Sequence, residues 1–116
     1  MTFPAYLRLQ LMQDQMFIYN VSTQVAEDMQ DEWLRWMKEE HIPEVLSTGH
    51  FTHHRIVRLR EPQEPGSTTF AVQYFCNSLA LYDHYVQAHA PALRQKTLEK
   101  WGDRIISFRT LMEVIN

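Results

Sequence analysis

The chain has 116 residues, 45% hydrophobic and 22% charged, with three Gly, five Pro, one Cys and a formal net charge of −3. That composition describes one globular domain able to bury roughly two thirds of its unfolded surface, and it excludes disordered and fibrous classes. A lone Cys76 rules out an internal disulfide or a Cys-x-x-Cys motif within the chain; basic residues cluster no further than Arg55, Arg58 and Arg60, and no apolar run approaches ~18 residues. Nucleic acid and a membrane are therefore poor partners on this reading, and a cytoplasmic protein without a secretory leader is expected.

Residues 1–15 stand apart from the rest. Leu7, Leu9 and Leu11 alternate with Arg8 and Gln10, which suits an extra strand, a mobile extension or a start codon placed upstream of Met16. The regular pattern, and with it a single domain over 16–116, begins at Met16. Met16 to Thr23 is rich in aromatic and β-branched residues and predicts strand one. Asp28, Asp31 and Glu32 then load the first turns of a helix whose apolar stripe is Met29, Trp33, Trp36 and Met37. Pro43 lacks an N–H for the carbonyl of Glu39 and biases Ile42 away from helical torsions, so a kink or break is expected near His41, with a short further turn through Leu46. Gly49 ends it.

Phe51 to Leu59 predicts strand two and Thr68 to Cys76 strand three, joined by a polar loop carrying Pro62, Pro65 and Gly66. Asn77 or Ser78 offers an N-cap to a second helix with the stripe Leu79, Tyr82, Tyr85, Val86 and His89. Pro91 interrupts that helix as Pro43 interrupts the first; Leu93 to Trp101 is helical again, and Gly102 closes it. Arg104 to Ile115 alternates as strand four.

The order β-α-β-β-α-β predicts an α+β, ferredoxin-like sandwich: a four-stranded antiparallel sheet with two kinked helices on one face. The other face meets water or a partner. If Phe108 and Met112 point to the helices, then Ser107, Arg109, Leu111 and Glu113 point away, joined by Ile18, Asn20, Ser22, Gln73 and Phe75. Such a face is too apolar for open water, so a homodimer through it is expected. Strand two carries equally mixed residues on both sides, and its register stays open.

The segments Ile18-Tyr19-Asn20-Val21, Glu32 to Leu46 with its Trp-x-x-Trp and His-x-Pro, Gln73-Tyr74-Phe75, His89-Ala90-Pro91, Gly102-Asp103-Arg104 and Phe108-Arg109 resemble a bacterial domain-of-unknown-function family, DUF4286, over Met16 to Ile115. More distantly the chain is similar to the dimeric α/β-barrel superfamily, which holds monooxygenases, isomerases, haem-degrading enzymes and stress proteins. That resemblance implies a homodimer whose sheets face each other. No member's catalytic set maps residue by residue onto this chain, and residues 1–15 depart from the pattern.

His41 is the candidate catalytic residue: a histidine at a helix break after two tryptophans could shuttle a proton, or else bond the carbonyls that Pro43 leaves without a partner. Asn20, Gln73 and Arg109 are the candidate ligand-binding residues, placed to orient a substrate oxygen. His89, at the end of an apolar stripe, reads as a packed residue. His50, His53 and His54 cannot share a metal on a strand, because 53 and 54 face opposite ways and 50 and 54 stand roughly 13 Å apart; no metal and no cofactor is expected. Cys76 reads as buried and inert, and Trp33, Trp36 and Trp101 as core anchors. Phe70 to Tyr74 lacks the basic residue and glycine of an RNA-recognition strand. Two functions result: a homodimeric module that binds a small molecule or none, and, as the alternative, a cofactor-independent monooxygenase- or isomerase-like enzyme acting on a small organic substrate through His41.

Overall fold

The computed structural model describes residues 4, 5, 15–62 and 64–116; the alternation at Leu7, Leu9 and Leu11 lies outside them. Its elements are β1 (Phe17–Ala26), α1 (Gln30–Trp36), a π-helical turn (Met37–His41), α2 (Ile42–Ser47), β2 (His53–Arg58), β3 (Ser67–Cys76), α3 (Leu79–Ala88), α4 (Ala90–Trp101) and β4 (Ile105–Glu113). The strands form one antiparallel sheet in the order β2-β3-β1-β4. This is the expected βαββαβ sandwich, with both helical segments on one side.

The two prolines act differently. Before Pro43 the backbone stays helical, with Ile42 at φ −60°, ψ −46°, and the Ile42 N–H bonds the Met37 carbonyl five residues back. The expected break is therefore a widened turn: the π-turn takes in one extra residue and reopens an α-helix with Pro43 in its first turn, where a missing N–H costs little. Pro91 follows a real interruption. His89, at φ −120°, ψ −38°, leaves helical torsions and separates α3 from α4. Ser78 caps α3, its hydroxyl accepting from the Leu81 N–H at 3.1 Å, while Leu79, expected in the apolar stripe, is exposed.

The core lies between the helices and the two central strands. Phe17, Tyr19 and Val25 of β1 and Phe70, Val72, Tyr74 and Cys76 of β3 are buried against Trp33, Met37, Val45, Tyr85 and Trp101. Trp36 and Trp101 meet edge to face at 5.8 Å, tying the helical halves together. The three tryptophans are core residues, as expected, and Cys76 is buried with its thiol pKa pushed up by burial.

Pairing settles the facing of the edge strands and corrects one expectation. Val21 pairs with Arg109 and Thr23 with Ser107, so Ser107, Arg109 and Leu111 share the helix side with Tyr19, Val21 and Thr23; a 2.8 Å hydroxyl pair between Thr23 and Ser107 confirms it. Ile106, Phe108 and Met112 face the open side. The inversion has a physical cause: the helices cover only the start of β4, at Ile105 and Ser107, while Arg109 and Leu111 remain exposed, so the apolar row of this strand does not report the core. In β2, Ile56 opposite Val72 points to the helices, and His53, Arg55 and Val57 point away.

Candidate functional site

Between the helices and β1, β3 and β4 lies a cavity of about 40 Å³ lined in part by Tyr19, Trp33, Met37, His41, Tyr74 and Arg109. The π-turn places His41 there. Its half-buried ring stacks on Trp36 with centroids 4.9 Å apart and planes at 22°, and it has no hydrogen-bond partner among the described residues. The alternative role, capping carbonyls freed by Pro43, is thus not what the ring does. Burial holds its pKa at about 4, with Glu44 pulling it up and Arg109 and Lys96 pushing it further down. His41 at neutral pH is therefore an uncharged ring with an acceptor nitrogen to offer.

Tyr19 forms the inner wall. Its ring contacts those of Phe51, Tyr74, Tyr82 and Tyr85 at 5.6 to 6.1 Å, and its hydroxyl accepts from Arg94 Nη2 at 3.3 Å. Tyr74 beside it is buried, and its hydroxyl has no hydrogen-bond partner among the described residues. Burial raises the Tyr74 pKa far beyond the usual phenol range, so that oxygen keeps its proton and remains a donor.

The four residues singled out in the sequence fall on two faces. His41 and Arg109 line the cavity. Asn20 and Gln73 are register partners on the opposite side of the sheet, where Asn20 Nδ2 donates to Ser22 Oγ at 3.0 Å and the Gln73 side-chain oxygen accepts from Arg55 Nη2 at 3.0 Å. They cannot act with His41 on one small substrate, because strand neighbours of opposite parity point to opposite faces. Tyr74 escaped notice in the sequence, since a tyrosine on a buried strand carries no sign that its hydroxyl lacks a partner.

A second cluster also escaped. His50, buried between α2 and β2, lies beside His84 of α3 and His89 at the α3–α4 junction, one ring nitrogen from each lying within 4.8 Å of the other two. His53 and His54 take no part in it.

Strand order, antiparallel pairing and helices on one face define a ferredoxin-like α+β domain with a small, partly open cavity under its helices. The chain belongs to the family described as a domain of unknown function, DUF4286, whose model matches residues 16–115. A search of the curated proteins gives no match. Among solved structures, a Bacillus cereus protein described as a candidate antibiotic-biosynthesis monooxygenase superposes with a TM-score of 0.62 at 14% identity, covering 87% of this chain and 94% of its own. A dimeric ferredoxin-like protein from an uncultured marine organism gives 0.56 at 11% identity, covering 89% and 98%. The cofactor-independent oxygenase SnoaB of Streptomyces nogalater gives 0.56 at 12%, covering 89% and 95%. These likenesses establish the fold. Among the described residues no helix is long and apolar enough to cross a membrane.

Proposed function

We propose that the protein is a cytoplasmic homodimer that pairs through the open face of its sheet. One observation carries this reading: Phe108 and Ile106, side by side on that face, are 67% and 54% exposed, and Ile18, Phe75, Met112 and Val57 extend the apolar surface across all four strands. Contiguous apolar surface of this kind marks an interface in a soluble protein. A second copy is the natural occupant, since a two-fold contact sets the same patch against itself and needs no further partner. The marine relative, described as dimeric on the same fold, supports it. Sedimentation at micromolar concentration tests the reading: the wild-type chain should run as a dimer and Phe108→Glu as a monomer, while a monomeric wild type overturns it.

A small-molecule function is the second reading, favoured by the Tyr74 hydroxyl and the unpaired His41 nitrogen around one cavity. Its 40 Å³ admits a few heavy atoms and no drug-sized substrate, given that ~10–15 Å³ on this measure holds one water. A pKa of about 4 also suits His41 poorly to shuttling protons at pH 7, where a value near the working pH is most effective. His41 fits better as the acceptor, with Tyr74 as donor and Arg109 as the nearby positive charge, for a small polar or anionic ligand. A thermal-shift screen of such compounds, repeated on His41→Ala, tests this; a stabilisation unchanged by the substitution removes His41 from the site.

A further inference from the structure

His50, His84 and His89 come from three separate parts of the fold and converge at one point. His50 is 9% exposed, and its Nδ1 lies 2.9 Å from the Thr48 carbonyl. A carbonyl only accepts, so Nδ1 carries the proton and Nε2 presents its lone pair. Across from it, His84 Nδ1 stands at 2.6 Å. The two rings are nearly parallel, at 10°, with centroids 4.9 Å apart; a nitrogen pair this close at that centroid separation means rings set edge to edge, with His84 Nδ1 donating to the His50 Nε2 lone pair, so that a metal ion would take the place of the shared proton. His89 closes the group, its ring 4.9 Å from that of His50 and at 63° to it.

We propose that these three histidines bind a divalent transition metal of the zinc type. The donor set argues the class: three imidazoles with no carboxylate in the cluster suit zinc and its neighbours in the transition series, whereas magnesium and calcium demand oxygen. The Thr48 carbonyl is the outer partner that fixes the tautomer of a metal-ligating histidine. Tetrahedral bonds of ~2.0–2.1 Å place ligand nitrogens about 3.3 Å apart, so the His50–His84 pair opens slightly and the wider separations close. His84 is exposed and makes that adjustment by side-chain rotation, while His50 stays anchored. Three protein ligands leave a fourth position, on the solvent side beside His84, for water or an exogenous donor. The site owes nothing to the dimer or to the His41 cavity, and stands or falls separately.

The test uses the full chain after treatment with a chelator. Zinc chloride titrated by calorimetry should bind at one equivalent per chain and raise the thermal midpoint, and cobalt in its place should develop the strong visible absorption of a tetrahedral ion. His84→Ala and His89→Ala should each weaken zinc binding at least about tenfold, the scale already seen for losing outer partners alone, while His54→Ala, an exposed histidine outside the cluster, binds as wild type. His84 is at the surface, so its variant reports on binding even if His89→Ala folds poorly; circular dichroism checks both. Absence of any zinc-dependent shift in the wild type, as for a pair that merely shares a proton, overturns the proposal. So does zinc binding that survives His84→Ala unchanged.

Discussion

His41 is a histidine that stays neutral across the physiological range, and the cause is where the π-turn puts it. The folded pKa is about 4 against an ordinary 6.5, so between those values the unfolded chain takes up a proton that the folded chain refuses. Folding stability from this group is therefore complete above about pH 6.5 and is lost progressively as the pH falls toward 4. The full span corresponds to about 3.5 kcal/mol at most, from ~1.4 kcal/mol per pKa unit, and less for a ring that is only half-buried. His41→Phe keeps an aromatic ring against Trp36 and removes the titration. Urea unfolding at pH 7 and pH 4.5 should show wild type losing about 2 kcal/mol more than this variant over the interval. Equal losses would mean that His41 titrates normally and that the cavity is wetter than its lining indicates. The same neutrality is why an acceptor role suits this residue better than proton transfer.

At the scale of elements, Ser78 offers the cleanest local test. Its hydroxyl is the one side-chain cap seen on a helix start among the described residues, and it holds α3 in the orientation that delivers Tyr85 to the core and His84 and His89 to their cluster. Ser78→Ala should cost about 1 kcal/mol, read as a fall of a few degrees in thermal midpoint with no change in the circular dichroism of the native state. Element order was legible in the sequence because it rests on local signals: Trp33, Trp36 and Met37 at helical spacing, Ser78 before an apolar stripe, glycines at positive φ at positions 49 and 102. What depends on coverage was not legible. Alternation showed that Ile106, Phe108 and Met112 share a face but could not say which, because the helices cover only the start of β4 and apolar residues lie on both of its sides. The register of β2 came from its pairing with β3 and not from its own residues. For the histidine cluster the obstacle was geometric: positions 84 and 89 in an unbroken helix would point roughly 140° apart at 100° per residue, and only the departure of His89 from helical torsions brings them together. Their partner, His50, lies 34 residues before His84, with nothing local to announce it.

For the whole molecule the question is what covers the sheet. The helical layer protects β1 and β3 and covers β2 and β4 only in part, at Ile56 and Ile105, leaving Arg58, Arg109 and Leu111 exposed on the helix side, so the sheet is wider than its cover. Edge-to-edge pairing through β2 is discouraged by Arg55 and Arg58, which place charge on both of its faces. Face-to-face pairing meets no such obstacle: Asn20 is already bonded to Ser22 and Gln73 to Arg55, so the polar centre of the face brings few unsatisfied groups to an interface, and Phe108 and Ile106 supply apolar area at its side. Hydrophobic burial at roughly 25 cal/mol per Å² makes Phe108 the residue with most to gain. If dimerisation contributes to folding, stability becomes concentration-dependent, because association draws the equilibrium toward the native state. The thermal midpoint of the wild-type chain should rise steadily over a hundredfold increase in protein concentration, and that of Phe108→Glu should not. A monomeric variant that melts at the wild-type temperature in dilute solution would show that Phe108 serves the interface alone. A wild-type midpoint indifferent to concentration, together with a monomer in the centrifuge, would require another partner for the face.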